Sequence, residues 1–228
     1  TELLGLIITV YFCAYHLNWN FKRTHFGRMK EVIIYCLKGH PGRIAWQLNE
    51  KIDFFFINIF LGATFVGIYS VGFAVAELLT FFSSSMAAIL IPYLISQEDE
   101  ESRVKLLGMI MRIIIILITI GVIVMYFTIH LVLDILFIDE FQLALNPIYL
   151  LIPGMFALSI ARIISTYFYA IGKPEVQSYA AVISLLTTVL LNLILIPLIG
   201  LNGAAISSSV AYLVGLGFMI LAFRQFNT

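Results

Sequence analysis

Seven apolar stretches dominate this chain, at roughly 3–19, 44–62, 66–95, 105–131, 147–171, 177–197 and 203–223. A helix rises 1.5 Å per residue, so about 20 such residues cross the roughly 30 Å of a bilayer's hydrocarbon layer. The stretches are far longer than the roughly 9–11 residues of a barrel strand and do not alternate with polar residues. The chain is 61% hydrophobic and 11% charged, against about 45–50% and about 25% for soluble domains. Its mean hydropathy is +1.03. A soluble domain, a disordered tail and a collagen-like fibre are excluded. The predicted fold class is an all-α, polytopic membrane protein of about seven spans.

Turn signals separate the stretches: Gly62 to Gly67, the acidic run Gln97-Glu98-Asp99-Glu100-Glu101, Asn146-Pro147, Gly172-Lys173-Pro174 and Gly200-Leu201-Asn202-Gly203. The third stretch is long enough to tilt, and Pro92 near its end is a candidate kink. Thirteen Lys and Arg balance thirteen Asp and Glu, so net charge names no partner, but charge position sets an orientation. Lys22, Arg23, Arg28, Lys30, Lys38 and Arg43 follow the first span; Arg103 and Lys105 follow the third; Lys173 and Arg224 mark two more ends on the same side. The opposite loops, around 62–67, 132–146 and 198–202, contain no Lys or Arg, and one carries Asp134, Asp139 and Glu140. The basic side is therefore expected to be cytoplasmic.

The loop at 20–43 has its own pattern. Met29, Val32, Ile33, Cys36 and Leu37 fall on one helical stripe, with Arg28, Lys30, Glu31 and Lys38 mostly off it. This predicts a short amphipathic helix on the cytoplasmic face, drawn to anionic lipid and ended by His40-Pro41-Gly42; a solvated connector is the alternative. A domain boundary is placed here. The first apolar run has no basic residue before it and no small-residue cleavage site after it, so it is not a signal peptide. The chain, beginning Thr1-Glu2, reads as part of a longer one. Cys13 lies in an apolar run and Cys36 in a basic loop, with no sign of a disulfide framework.

Ionisable residues inside spans cost about 2.5–3.5 kcal/mol on insertion scales and normally face a cavity or a partner. Glu50, Lys51, Asp53, Glu77, Arg112 and Arg162 qualify. Arg112 lies about 10 Å along a helix from Lys105 and can reach the headgroups. Arg162 lies about 15 Å before Gly172, near the midplane, on a helix whose Ser159, Ser165, Thr166 and Tyr169 share its polar face. Asn49 and Asp53 share a face at i, i+4. Two readings stand open. Either Arg162 pairs with Asp53 or Glu77 and joins helices, or these groups line a water-filled cavity for a polar substrate. The clusters Ser83-Ser84-Ser85, Thr187-Thr188, Asn192 and Ser207-Ser208-Ser209 read first as packing and hydrogen-bonding residues.

Much chemistry is missing. No G-x-x-x-x-G-K-[ST] loop, H-E-x-x-H or paired-Cys spacing, or G-x-S-x-G elbow occurs. His16, His25, His40 and His130 are scattered, mostly at span ends. No cofactor, no metal and no nucleic-acid partner is expected, and the chain reads as a non-enzyme.

Several motifs carry a resemblance. They are Ile52-Asp53-Phe54 through Gly62; Val66-Gly67-Ile68-Tyr69-Ser70; Ala74, Ala76-Glu77-Leu78 and Ile91-Pro92; Leu136-Phe137 with Phe141; Ala170-Ile171-Gly172-Lys173-Pro174; and Ile196-Pro197 through Asn202-Gly203-Ala204-Ala205. In this order, at helix ends, they resemble the carboxyl half of the lipid-linked oligosaccharide flippases (O-antigen and capsule type) of the multidrug/oligosaccharidyl-lipid/polysaccharide exporter superfamily. The resemblance covers roughly 44–224. Ile138 stands where that family commonly has Gly.

The resemblance implies two six-helix bundles facing a central cavity. Residues 1–19 would be the last helix of a missing N-terminal lobe, 20–43 the connector and 44–228 the six-helix C-terminal bundle. The implied function is movement of an undecaprenyl-diphosphate-linked oligosaccharide across the bacterial cytoplasmic membrane, with membrane lipid and the other lobe as partners. Arg162 is the leading candidate for the diphosphate or sugar, Lys51 the second, and Asp53 and Glu77 would orient the cations or bind a coupling ion, Na⁺ or H⁺. Gly62, Gly67 and Gly172 would be turn residues. A multidrug or toxin cation antiporter of the same superfamily and a membrane-embedded polysaccharide polymerase or ligase are the alternatives.

Overall fold

The computed structural model describes residues 26–136 and 143–226. The expected first span at 3–19 and the turn carrying Phe137, Ile138, Asp139, Glu140 and Phe141 lie outside the described residues. The described residues form α1 (Phe26–Phe60), α2 (Ala63–Glu77), a 3₁₀ turn (Leu78–Thr80), α3 (Phe81–Ser96), α4 (Glu100–Leu136), α5 (Leu145–Ala170), α6 (Pro174–Ile199) and α7 (Leu201–Phe226). No strand occurs among them. The chain divides into two compact units, residues 1–36 and 37–228. Helices α2 to α7 lie wholly in the second, together with the part of α1 from Leu37 onward.

Among the described residues, five segments are long and apolar enough to cross a membrane: Ala63–Ser96, Glu100–Ile129, α5, α6 and α7. They coincide with the last five spans expected from sequence, and the chain is a multi-pass, all-helical membrane protein. The expected span at 44–62 is also helical, and it differs from those five in carrying Glu50, Lys51 and Asp53.

Two expected breaks fall elsewhere. His40-Pro41-Gly42 does not end a helix; α1 runs through it. The ladder loses the Pro41 donor, and at the same turn Ser178 Oγ of α6 donates to the Lys38 carbonyl at 2.6 Å. A Cβ on Gly42 would lie 2.5 Å from Ser178 Cα, so the bare glycine lets α6 seat there. The third span breaks at Leu78–Thr80, while Pro92 remains inside α3. Thr80 Oγ1 donates to the Glu77 carbonyl at 2.9 Å, and Ser83 and Ser84 hydroxyls donate to the Thr80 carbonyl at 2.7 and 2.9 Å. Hydroxyls that compete for main-chain carbonyls tighten a turn in this way.

Gly62 and Gly172 take positive φ, 97° and 75°, in the left-handed half of the map that side chains disfavour. Gly67 is not a turn residue: it lies within α2.

Helix α5 is the central post. It packs on α2, α3, α4, α6 and α7, and 61% of its most apolar stretch is buried, against 17% for α4. Its approach to α7 is close: a Cβ on Gly154 would lie 2.6 Å from Ser209 Cα. Small residues at such crossings let helix backbones meet in a membrane. Helices α6 and α7 pack extensively on each other, with Ser207, Ser208 and Ala211 buried along α7.

The acidic run before α4 is a helix start. Asp99 Oδ2 accepts the Ser102 amide at 3.0 Å, the bond of an N-cap. Glu100 and Glu101 occupy the first turn, where carboxylates complement the helix dipole. Arg103 turns back to donate to the carbonyls of Leu94 (3.2 Å) and Gln97 (2.8 Å), closing the end of α3.

Candidate functional site

Arg162 projects from the central post α5 into a polar junction. Its Nη1 donates to Thr80 Oγ1 at 3.1 Å and to Ser84 Oγ, and Nη2 approaches Glu50 Oε1 at 3.5 Å. The guanidinium lies 5.7 Å from the Trp46 ring centroid, within cation–π range. Trp46 Nε1 donates to the same Glu50 oxygen at 2.9 Å, which fixes the carboxylate beside the cation. The Arg162 and Glu50 side chains remain 19% and 24% exposed, so this is a loose, half-wet pair.

Two cavities meet at Arg162. One, of about 330 Å³, is lined by Arg43, Trp46, Gln47, Glu50, Tyr169 and Gln177 among others. The other, of about 490 Å³, is lined by Glu77, Leu78, Thr80, Phe81, Ser84 and Ser85 among others. Both fall in the range of small-ligand sites, roughly 300–1,000 Å³. Of the residues expected to give α5 its polar face, only Tyr169 lines a cavity. Ser159, Ser165 and Thr166 are buried and donate to carbonyls of their own helix at 2.7–2.8 Å.

Asp53 lies in a different environment. It is fully buried and accepts hydrogen bonds from Tyr69 Oη at 3.1 Å, Asn192 Nδ2 at 2.7 Å and Ser208 Oγ. Those donors come from α2, α6 and α7, so one carboxylate ties three helices to α1. One turn earlier, Asn49 Oδ1 accepts from Thr188 Oγ1 at 2.6 Å. Asn49 Nδ2, Asn192 Oδ1 and Tyr212 Oη are buried without a hydrogen-bond partner among the described residues. Among the described residues no Lys or Arg forms an ion pair with Asp53.

The four residues singled out by sequence thus separate. Arg162 and Glu77 line one cavity. Asp53 is sealed in its hydrogen-bond ring. Lys51 is exposed, its ammonium 5.6 Å from the Phe54 ring centroid, and it lines neither cavity. The ion pair that Arg162 forms is with Glu50 and with neither Asp53 nor Glu77. Trp46 and Thr80 are the site residues sequence reasoning left out; they form the pairs Trp46–Glu50 and Thr80–Ser84 with an ionisable span residue and a cluster serine that it had noted. Each is an i, i+4 pair on one helix face, a visible signal that does not say which helix the face meets. Among the described residues no three His, Cys, Asp or Glu side chains gather as for a metal ion.

Residues 1–145, which include α1, α2 and the Glu50–Asp53–Glu77 side of the site, match the family model described as polysaccharide biosynthesis protein. The chain belongs to the polysaccharide biosynthesis protein family. Residues 148–227, carrying Arg162, Asn192 and Ser208, match the family model of the lipid II flippase MurJ. The chain is also 24% identical over 216 residues to the probable low-salt glycan biosynthesis flippase Agl15 of Haloferax volcanii, covering 93% of this chain and 46% of that protein. It spans about half the length of that curated relative. No solved structure matches. Two of these matches are thus to flippases.

Proposed function

We propose that this chain forms one lobe of a flippase that carries an undecaprenyl-diphosphate-linked oligosaccharide across the bacterial cytoplasmic membrane, supplying O-antigen, capsule or exopolysaccharide synthesis. The observation that carries the reading is the Arg162 guanidinium at the meeting of two cavities, each lined by further polar side chains. A diphosphate cannot cross hydrocarbon bare, and a guanidinium binds phosphate oxygens through paired N–H donors. Glu50 holds Arg162 at 3.5 Å, long for a charged hydrogen bond, so an incoming phosphate can take its place. The Thr80 and Ser84 hydroxyls beside the guanidinium and the Glu77 carboxylate suit sugar hydroxyls. Lys51 takes no part in this reading.

Residues 1–19 belong, on this proposal, to the last helix of an N-terminal lobe, 20–43 to the connector and 44–228 to the C-terminal bundle. Transporters built from repeats hold substrate near the midplane between them, so the second half of the site is in the other lobe. Asp53, buried without a cation, is the group that a coupling H⁺ or Na⁺ would neutralise.

Arg162→Ala in the full-length chain tests the proposal. Surface glycan is expected to fall at least about tenfold, the lower end of what loss of a charged hydrogen bond gives, with membrane abundance unchanged. Normal export at normal abundance would overturn it. Glu50 and Trp46 in one cavity and Glu77 in the other also suit an organic cation; efflux of a cationic dye that survives Arg162→Ala while glycan export was never present would favour the antiporter reading.

A further inference from the structure

A third cavity, apolar and about 260 Å³, lies between the α2–α3 segment and α4. Leu78, Phe82, Val124, Met125 and Thr128 are among its walls, and Gly121 leaves room for Leu79 at its base: a Cβ there would lie 3.1 Å from Leu79 Cδ2. Leu78 also lines the polar cavity shared by Arg162 and Glu77. One residue of the 3₁₀ turn therefore separates a polar chamber from an apolar groove. Leu78 and Phe82 are 65% and 54% exposed, and α4 is the least buried of the apolar helices, so the groove is open on the surface of this bundle.

We propose that this groove seats the first isoprene units of the substrate's lipid chain, while its diphosphate lies beside Arg162. The inference rests on the reading of Arg162 as the headgroup site. Continuity selects the occupant. Arg162 is eight residues, or about 12 Å, from the end of α5, and a phospholipid keeps its headgroup at the bilayer surface. Phospholipid tails can enter the groove, but only an amphiphile whose charged end has moved deep into the protein can cross Leu78 from one chamber to the other. Lipid tails are as apolar as the groove wall, so the groove adds position rather than affinity: it sets where the chain leaves the protein as the head turns over.

The test places a photo-crosslinking amino acid at Val124 or at the exposed control Leu190 of α6, one at a time, in the full chain reconstituted with polyprenyl-diphosphate oligosaccharide. At matched protein amounts, substrate adducts at Val124 are expected to exceed those at Leu190 about tenfold, because the headgroup bound at Arg162 raises the local concentration of its own chain beside Val124. A labelled phospholipid should mark both positions alike. Equal substrate yield at the two positions would overturn the groove, whatever Arg162 does. Adding Arg162→Ala separates the two readings: lost labelling at Val124 supports both, and retained labelling keeps the groove and removes Arg162 from the headgroup site.

Discussion

Arg162 and Asp53 are both ionisable groups held within a membrane bundle, and they are accommodated in opposite ways. Arg162 is left partly wet, against a carboxylate at 3.5 Å, two hydroxyls and an aromatic face. Asp53 is removed from solvent and ringed by three donors from three other helices. The first arrangement can exchange partners, because water and loose contacts let a competing anion in. The second cannot exchange without breaking helix contacts; it changes state only by taking up a proton or a small cation. A half-wet cation suits substrate, and a sealed carboxylate suits structure and coupling.

The largest expected effect breaks the sealed side. Asp53→Leu leaves Tyr69, Asn192 and Ser208 without their common acceptor. At about 1–3 kcal/mol for each buried donor left unsatisfied, the cost is at least about 3 kcal/mol, read as a lower thermal midpoint in detergent and lower membrane abundance. Asp53→Asn, which keeps the volume and an acceptor, should cost less. Arg162→Met should do the reverse, removing export with a smaller stability change than Asp53→Leu, because the Arg162–Glu50 pair is long and partly open to water. If Arg162→Met unfolds the protein as severely as Asp53→Leu, the contrast between the two sites fails.

The double exchange Arg162→Glu with Glu50→Arg sharpens the wet side. A folded, export-dead protein is expected, because the cation would then project from α1 and not from the central post. Restored export would show that the pair serves only to join helices. The smallest effect belongs to a fully wet charge. The hydrogen bonds from Ser102 hold the Asp99 carboxyl below its ordinary value of 3.8. A lowered carboxyl value stabilises the folded form above the ordinary value, and that contribution is lost as pH falls through the lowered one. Amide exchange at the start of α4 should therefore speed up below about pH 4, and Asp99→Ala should remove that dependence without changing export.

Much of this architecture is local and was legible for that reason. Apolar length located five helices, and Gly62 and Gly172 marked real turns because their φ values demand glycine. The i, i+4 spacing placed Asn49 and Asp53 in one buried layer. The breaks within elements were harder to read. Pro41 sits inside a helix because α6 covers that turn, and Thr80 with Ser83 and Ser84 tighten a span that hydropathy reads as continuous. Partners across helices were illegible: Glu50 and Asp53 are three residues apart on α1, yet one meets Arg162 and the other meets Asn192 and Ser208. Only the lateral order of helices decides that.

Reactivity toward water-soluble reagents separates the two environments most directly. In full-length protein lacking Cys13 and Cys36, Ser84→Cys and Ser208→Cys place one thiol beside Arg162 and one beside Asp53. A membrane-impermeant maleimide should label the first and spare the second, and polyprenyl-diphosphate oligosaccharide should protect the first. Equal labelling of both, or an unreactive thiol at Ser84→Cys, would contradict a water-accessible Arg162 site.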